Sequence, residues 1–525
     1  MEQDPLALGA GPLTIEAVVA VARRRQAVAL GPLVAPRIAA ARAVVERLAG
    51  AEVPVYGLTT GLGAGVDTRL MAEDLIAFQH RAVPARAVGV GPRLPTDILR
   101  ALMLVRAAGY AAGGSGASPT MLHALVAALN AGFHPLVPSK GSIGADDLAP
   151  LAHLGRALLG DPDAEVEIGG DILPADAALA RAGLTPPVLG LKDGHAIVVA
   201  NALSVGQGCL VLEDARVALD ALDAAAALSC EGFRTQLEPL DPRVQQARPA
   251  PGQAEAAARL RALLAGSDLE KPGAARRLQD PLSFRCLAPV HGAARVTLEA
   301  AREPVSIELN AAADNPLVAV AEAGIGQDAG GGMLHNGNFD MTALVLRFEA
   351  LGQALAQAAT MAAHRTMKLM SPAVSDLPRF LTPQGQSRTG FATVQKTIAA
   401  LEAEIRHLAL PASLGVLPVA DGIEDYASMA PAVVAKTGEI VERLRWLTAI
   451  ELAVAAQAVD LRGPLILGAG TRAVHAFVRR LVAPLDEDRS QGPDFERLAQ
   501  SIAAGALQQA VAAGRCGSRL NTGSR

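Results

Sequence analysis

Asp146 and Asp147 stand side by side in the stretch Gly141-Ser142-Ile143-Gly144-Ala145-Asp146-Asp147-Leu148-Ala149-Pro150. Two adjacent carboxylates raise one another's pKa when both are buried, which makes one of them a proton carrier. A carboxylate can also serve as a nucleophile or a base, but never as an electrophile. The structural alternative is that Asp147, just before an apolar run, caps or charges the N-terminus of the following helix. A second candidate, Tyr56, is one of three tyrosines and lies in Tyr56-Gly57-Leu58-Thr59-Thr60-Gly61-Leu62-Gly63. Backbone freedom in such a loop lets a side chain reach a site. The loop lacks the Gly-Lys-Ser/Thr ending that would cradle a phosphate.

The elements that must position these groups are helical. The chain has 525 residues, 51% hydrophobic and only 3% aromatic. Ala and Leu supply most of that apolar surface, and they favour closely packed helices over sheet. The length allows two or three lobes around a large core. A net charge of −5 is small for this size and argues against nucleic acid as a partner, since that needs a basic face. Cys209, Cys230, Cys286 and Cys516 are scattered, with no CxxC spacing and no paired histidine. Reduced thiols and no metal site are expected. Met1-Glu2-Gln3-Asp4 is acidic and no cationic n-region precedes an apolar block, so the expectation is a cytoplasmic protein without a signal peptide. His195 to Leu212 is uncharged apart from its histidine. It contains Asn201, Ser204 and Gln207, which favours a buried core helix over a membrane span.

Thr14 before Ile15-Glu16-Ala17-Val18 predicts an N-cap and a helix to about Arg25, and Ala35 to Leu48 is a second amphipathic run. Val433, Ile440, Leu444, Leu447, Ile450 and Val454 recur at helical spacing, and segments 343–370 and 391–410 read the same way. The expected architecture is all-α. A loop-rich N-terminal lobe covers 1–195, a bundle of long helices covers 196–514, and a frayed Gly/Ser/Arg-rich tail covers 515–525.

Six motifs in one order carry a resemblance that spans roughly residues 5–475. The Tyr56–Gly63 loop is similar to Tyr-Gly-Ile-Asn-Thr-Gly-Phe-Gly of the histidine/phenylalanine/tyrosine ammonia-lyases. The Gly141–Pro150 segment resembles their Gly-Ser-Val-Gly-Ala-Ser-Gly-Asp-Leu-Ala-Pro. Gln279-Asp280-Pro281-Leu282-Ser283-Phe284-Arg285-Cys286 resembles Gln-Asp-x-Tyr-Ser-x-Arg-Cys. Glu308-Leu309-Asn310 with Asp314-Asn315-Pro316-Leu317, then Gly337-Asn338-Phe339, then Glu424-Asp425-Tyr426-Ala427-Ser428-Met429 match three more. The resemblance implies the long-helix fold of the ammonia-lyase and fumarase type, an amino acid substrate, and a homotetramer whose active sites are shared between subunits. It also implies site roles. Tyr56 is the base that takes the β-proton, although a phenol titrating near pKa 10 needs nearby cations or dipoles to serve as phenolate. Arg285 grips the substrate carboxylate with its planar fork, or else forms a structural ion pair with Asp280 or Glu308. Glu424 lies near the substrate amine or faces solvent. Asn338 and Phe339 line the pocket, and Asn310 and Asn315 brace loops.

The departures cluster at the implied site. In the family an inner Ala-Ser-Gly cyclises into a methylidene-imidazolone (MIO), a backbone electrophile. Here the segment is one residue shorter, and Ala145, the cofactor-forming position, is followed by Asp146 and Asp147. The serine and glycine are gone, so no MIO cofactor is expected. Leu282 replaces a tyrosine, and Ile423 replaces a glutamine before Glu424. Arg86 stands where a ring-reading residue, often histidine, is usual. Val199 falls where a pocket asparagine is expected, with Asn201 two residues on. Arg86 and Arg285 together would give two cationic forks, suited to a substrate with a second anionic group, unless Arg86 pairs with Asp146 or lies on the surface. The expected function is an ammonia-lyase-like carbon–nitrogen lyase with Tyr56, Asp146 and Glu424 as catalytic candidates. The alternatives are an MIO-independent lyase or isomerase on an anionic substrate, as in the fumarase/aspartase lyases, and a non-catalytic ligand-binding paralogue.

Overall fold

Helices take 61% of the chain and strands 7%, which makes the class all-α. The computed structural model describes residues 4–50, 54–61, 69–71, 74–320 and 331–521. Leu62 and Gly63 of the Tyr56 loop therefore lie outside the described residues. The chain groups into two compact units, one of residues 1–213, 302–346 and 411–435, the other of 214–301, 347–410 and 436–525. It passes between them within its longest helices, so this grouping does not break once near residue 195.

In the first unit, the Ile15–Arg23 helix starts at Thr14, whose hydroxyl accepts from the Ala17 amide at 3.2 Å. Replacing Thr14 with Ala should cost about 1 kcal/mol, because one orphan amide loses its partner. A denaturation midpoint that falls in Thr14→Ala and recovers in Thr14→Ser checks this. The next helix runs Val34–Ala49 and buries Ile38, Ala41, Val44 and Val45. Ala41, Val44 and Val45 form a small core with Leu58, which anchors the Tyr56 turn from behind. Short strands fill the connections. Leu6–Leu8 pairs in parallel with Val28–Leu30, and His134–Pro135, Glu165–Ile168 and Asp171–Pro174 form an antiparallel sheet. Its hairpin turns at Gly169-Gly170, where both residues have positive φ, the geometry a two-residue hairpin loop requires.

The second unit contains parts of the long helices Ala202–Phe233, Leu287–Glu308, Thr342–Leu369 and Ala430–Arg462, and the whole of Val394–Leu408. Small residues let them approach closely. A Cβ on Gly232 would lie 2.9 Å from the Ala458 methyl. One polar knot crosses this core: Arg365 grips Glu451 at 2.8 and 3.0 Å, both 0% exposed, and the Ser229 hydroxyl donates to the same carboxylate at 2.8 Å. Removing one partner of such a pair strands a buried charge, so the knot fixes the register of three helices.

The apolar run 193–233 is long and apolar enough to cross a membrane, yet 89% of its apolar window is buried inside the protein. It folds as a short helix, Asp193–Val198, and the long Ala202–Phe233 helix. At the other end, the last helix runs Ala506–Asn521. It carries past residue 515, where fraying was expected, and residues 522–525 lie outside the described residues.

Candidate active site

The Gly141–Pro150 segment is a tightly pinned loop that leads into the Leu148–Leu158 helix. Gly141 and Gly144 have positive φ, and so does Asp146, at +60°. Left-handed backbone suits glycine and, among other residues, Asp and Asn best. The segment before Ala430 holds the loop in place. Met429 donates its amide to the Ile143 carbonyl at 2.8 Å, and the Ser428 hydroxyl donates to the Gly144 carbonyl at 2.9 Å. The segment that carries Glu424 is thereby tied to the loop that carries Asp146.

The two carboxylates have different fates. Asp147 sits at the N-cap position of the Leu148–Leu158 helix, but its side chain makes no capping bond there. It accepts instead from the Ser204 amide at 3.0 Å and the Ser142 hydroxyl at 2.8 Å. The expected cap is therefore misassigned: Asp147 caps the helix that begins at Ala202. Burial pushes its carboxyl up, and the serine bonds pull it back. Asp146 has no such compensation. It is 9% exposed, and its Oδ1 has no hydrogen-bond partner among the described residues. Burial, then the charges of Asp314, Asp147 and Glu424, hold it well above the usual carboxylate range, against a smaller opposing pull from Arg106. Burial and these neighbouring charges therefore favour the protonated form of Asp146.

Around Asp146 the first unit forms a cavity of about 280 Å³ lined by Tyr56, Arg86, Ala145, His195, Phe339 and Glu424, together with Leu148, Val199, Asn315 and Ile423. The volume lies just below the ~300–1,000 Å³ typical of small-molecule sites, which suits an amino-acid-sized ligand. Tyr56 projects from a turn in which Leu58 and Thr59 both donate to the Val55 carbonyl. Its ring lies 6.3 Å from that of His195, edge to face, and 5.6 Å from that of His335. Arg86 ends a short 3-10 turn, and its Nη1 donates to the Ala82 carbonyl at 2.9 Å. Burial lowers its pKa while the nearby Tyr56 and Glu424 raise it, and an arginine remains a cation throughout. Arg86 faces the tyrosine and makes no ion pair with Asp146 among the described residues.

Of the remaining candidates only Asn315 lines this cavity. Asn201 is buried and donates to the Phe339 carbonyl at 2.7 Å, so it supports the cavity wall without lining it. Asn338 is exposed, with its amide donating to Asn336 Oδ1. Asn310 bonds both backbone groups of Leu13, and Asn315 Oδ1 accepts from the Asn336 amide. Arg285 and Leu282 belong to the second unit, on the Leu282–Arg285 turn, and are not among the residues lining this cavity.

The cavity carries a base candidate, a cation, a buried acid of raised pKa and the rings of Tyr56, His195 and Phe339, in a mainly helical chain. Residues 13–480 match the family model for aromatic amino acid lyases. The chain belongs to the aromatic amino acid lyase family. It is 39% identical to a histidine ammonia-lyase of Symbiobacterium thermophilum, over 95% of this chain and 97% of that one. The structure matches ergothionase, an ergothioneine-degrading enzyme of Treponema denticola, with a TM-score of 0.89, 32% identity and coverage of 96% and 99%. It also matches histidine ammonia-lyase of Trypanosoma cruzi, with a TM-score of 0.88, 28% identity and coverage of 98% and 96%. This aromatic amino acid lyase is a carbon–nitrogen lyase acting on an amino-acid-type substrate.

The residues at the family's MIO position do not fit that group. No serine follows Ala145 to lose water, and no glycine follows in turn. The amide two residues after Ala145, which would have to close the ring, belongs to Asp147 and donates to the Ala200 carbonyl at 2.8 Å. Sequence reasoning missed His195, a buried histidine inside the cavity wall. Its one signal was its place directly after Lys192-Asp193-Gly194.

Proposed function

We propose that this lyase eliminates an amine from its substrate without an MIO group. The observation that carries the reading is the replacement of Ser-Gly by the single residue Asp146 in a cavity that retains Tyr56 beside Arg86. Tyr56, as phenolate, takes the β-proton, and the C–H electrons form the C=C bond. The C–N bond breaks with its electrons going to nitrogen, so an ammonium substrate releases a neutral amine. The Asp146 carboxyl donates a hydrogen bond to the negative charge that builds on the substrate during proton removal. Arg86 holds the phenolate or an anionic group of the substrate, and Glu424 faces the substrate's ammonium before it leaves as the neutral amine.

Without an electrophile to activate nitrogen, the substrate must bring its own leaving group. A primary ammonium leaves only while it keeps its proton, and the base that takes the β-proton competes for it. A quaternary ammonium has no N–H to lose and stays activated at every pH. The likeness to ergothionase supports this choice, since ergothioneine is a betaine derived from histidine. The substrate class we favour is therefore a trialkylammonium form of an aromatic or histidine-like amino acid.

The assembly we favour is a homotetramer in which the Gln279–Cys286 motif completes the cavity of another subunit, with Arg285 on the substrate carboxylate. What supports this is the exposure of apolar side chains in that motif's neighbourhood: Leu278 is 96% exposed and Leu282 62%. Cys209, Cys230 and Cys286 are free thiols, which supports a cytoplasmic location.

Intact-protein mass spectrometry tests the cofactor statement: the mass should equal that of the translated chain. A deficit of two waters, the signature of MIO maturation, would overturn it. Incubation with L-histidine, L-phenylalanine, L-tyrosine and ergothioneine tests the leaving group. Trimethylamine release with a rise in unsaturated-product absorbance is expected for the betaine, and ammonia release from the primary amines would count against the reading.

A further inference from the structure

We infer that His195 positions the base, its imidazole forming the seat on which the Tyr56–Gly57 turn rests. The inference depends on Tyr56 being the base, as proposed above. His195 lies on the Asp193–Val198 helix, 2% exposed, in the wall of the cavity. Its backbone amide donates to Oε1 of the buried Gln79 at 3.0 Å, which fixes the helix against the Leu75–Ala82 helix. The ring then meets the tyrosine turn along one edge. A Cβ built on Gly57 would lie 2.7 Å from His195 Cε1 and 2.8 Å from Nδ1. Only glycine fits that spacing, and Gly57 also has φ +70°, so the turn is shaped to the imidazole on two counts. Next to it, the Tyr56 ring stands edge to face against the same imidazole at 6.3 Å.

The surroundings give the imidazole one charge state. Burial, with Lys192, Arg86 and Arg106 as neighbouring cations, holds its pKa well below the usual histidine range. A neutral ring makes no second positive charge beside Arg86 and takes no proton from substrate or base. His195 Nδ1 has no hydrogen-bond partner among the described residues. An unpaired buried nitrogen costs stability that an apolar side chain of the same shape would not. A core that needed only volume here would be better served by leucine.

The base must lie within hydrogen-bond reach of the β-proton, and a misplacement of 1 Å is enough to cost about 10²-fold in rate. His195→Ala should therefore lower kcat by about that factor while KM changes less than threefold, with ergothioneine as the probe. His195→Asn, which keeps a polar group near the Nδ1 position, should recover most of the loss. Gly57→Ala presses on the same ring from the other side, so the double variant Gly57→Ala/His195→Ala should be far less impaired than the product of the single effects. A crystal structure of His195→Ala should show residues 55–58 displaced, and this readout needs no turnover. Wild-type kcat in His195→Ala, multiplicative single effects, or an unmoved 55–58 turn would each overturn the inference. If His195→Ala fails to fold, His195→Asn and His195→Leu carry the comparison: Asn near wild type and Leu slow supports it, and equal rates overturn it. Tyr56→Phe separates the two readings. An active Tyr56→Phe removes the base assignment itself, whereas an inactive one beside a normal His195→Ala removes only the positioning role.

Discussion

Tyr56→Phe should lower kcat by about 10³, within the 10²–10⁴ that a positioned general base contributes. The expected loss is specific to the hydroxyl. The phenylalanine ring keeps the edge-to-face contact with His195 and the tilted contact with His335, so the cavity wall and the turn persist. Leu58, fully buried two residues on, still anchors the turn to the core of the first unit. KM should therefore change little, because substrate binding rests on the cationic forks and the ring-sized walls. The measurement is steady-state turnover of the betaine probe by both proteins, with thermal unfolding as the folding control. A Phe variant with wild-type turnover would show that another group takes the proton, and a lowered unfolding midpoint would show that the loss is structural.

The helices were legible because their signal is periodic and local. Apolar residues every three to four positions placed Val34–Ala49, Thr342–Leu369 and Val394–Leu408 within a few residues of where they lie, and a threonine before such a run marked a real cap. Strands such as Leu6–Leu8 and Val28–Leu30 were not legible, since three residues are too few for an alternation to show. At the site, motif order brought Tyr56, Arg86, Asp146, Phe339 and Glu424 into one list, and the structure gathers those five around one cavity. Two things stayed hidden. Asp147 looked like the cap of the helix it precedes, but a carboxylate serves whichever amides the fold brings to it, and those belong to Ser204, 57 residues away. His195 carried almost no pattern, only its place after Lys192-Asp193-Gly194. A buried histidine in an apolar run reads as core filling until the glycine against its ring is seen.

Replacing Asp146 with Asn should lower turnover by about 10², an effect of the size seen when a donor aimed at developing charge fails, because a carboxamide N–H is a far weaker donor than a carboxylic acid O–H. Asn is the informative choice because it has the same shape and tolerates the left-handed backbone that Asp146 adopts at φ +60°. Its amide can still donate, so any residual rate measures the hydrogen bond and the rest measures the acidic proton. The two proteins should also differ in pH dependence. In the wild type the donor disappears as Asp146 ionises, which removes activity on the alkaline side, and the Asn variant lacks that limb. Stability gives an independent check. Burial and the neighbouring carboxylates raise the Asp146 pKa above its unfolded value, near 3.9 for a free aspartate. The native state therefore holds a proton that the unfolded chain releases, and wild-type stability declines as pH rises from about 4 toward the raised native value. Asn carries no such linkage. Its stability relative to wild type should be lowest below about pH 4 and should improve steadily as pH rises through that window. Denaturant unfolding of both proteins at several pH values reads this directly. Parallel stability curves would mean that Asp146 is ionised in the native protein. The segment that replaced the family's electrophile would then supply a base, and the hydrogen-bond donor would have to come from another group in the cavity.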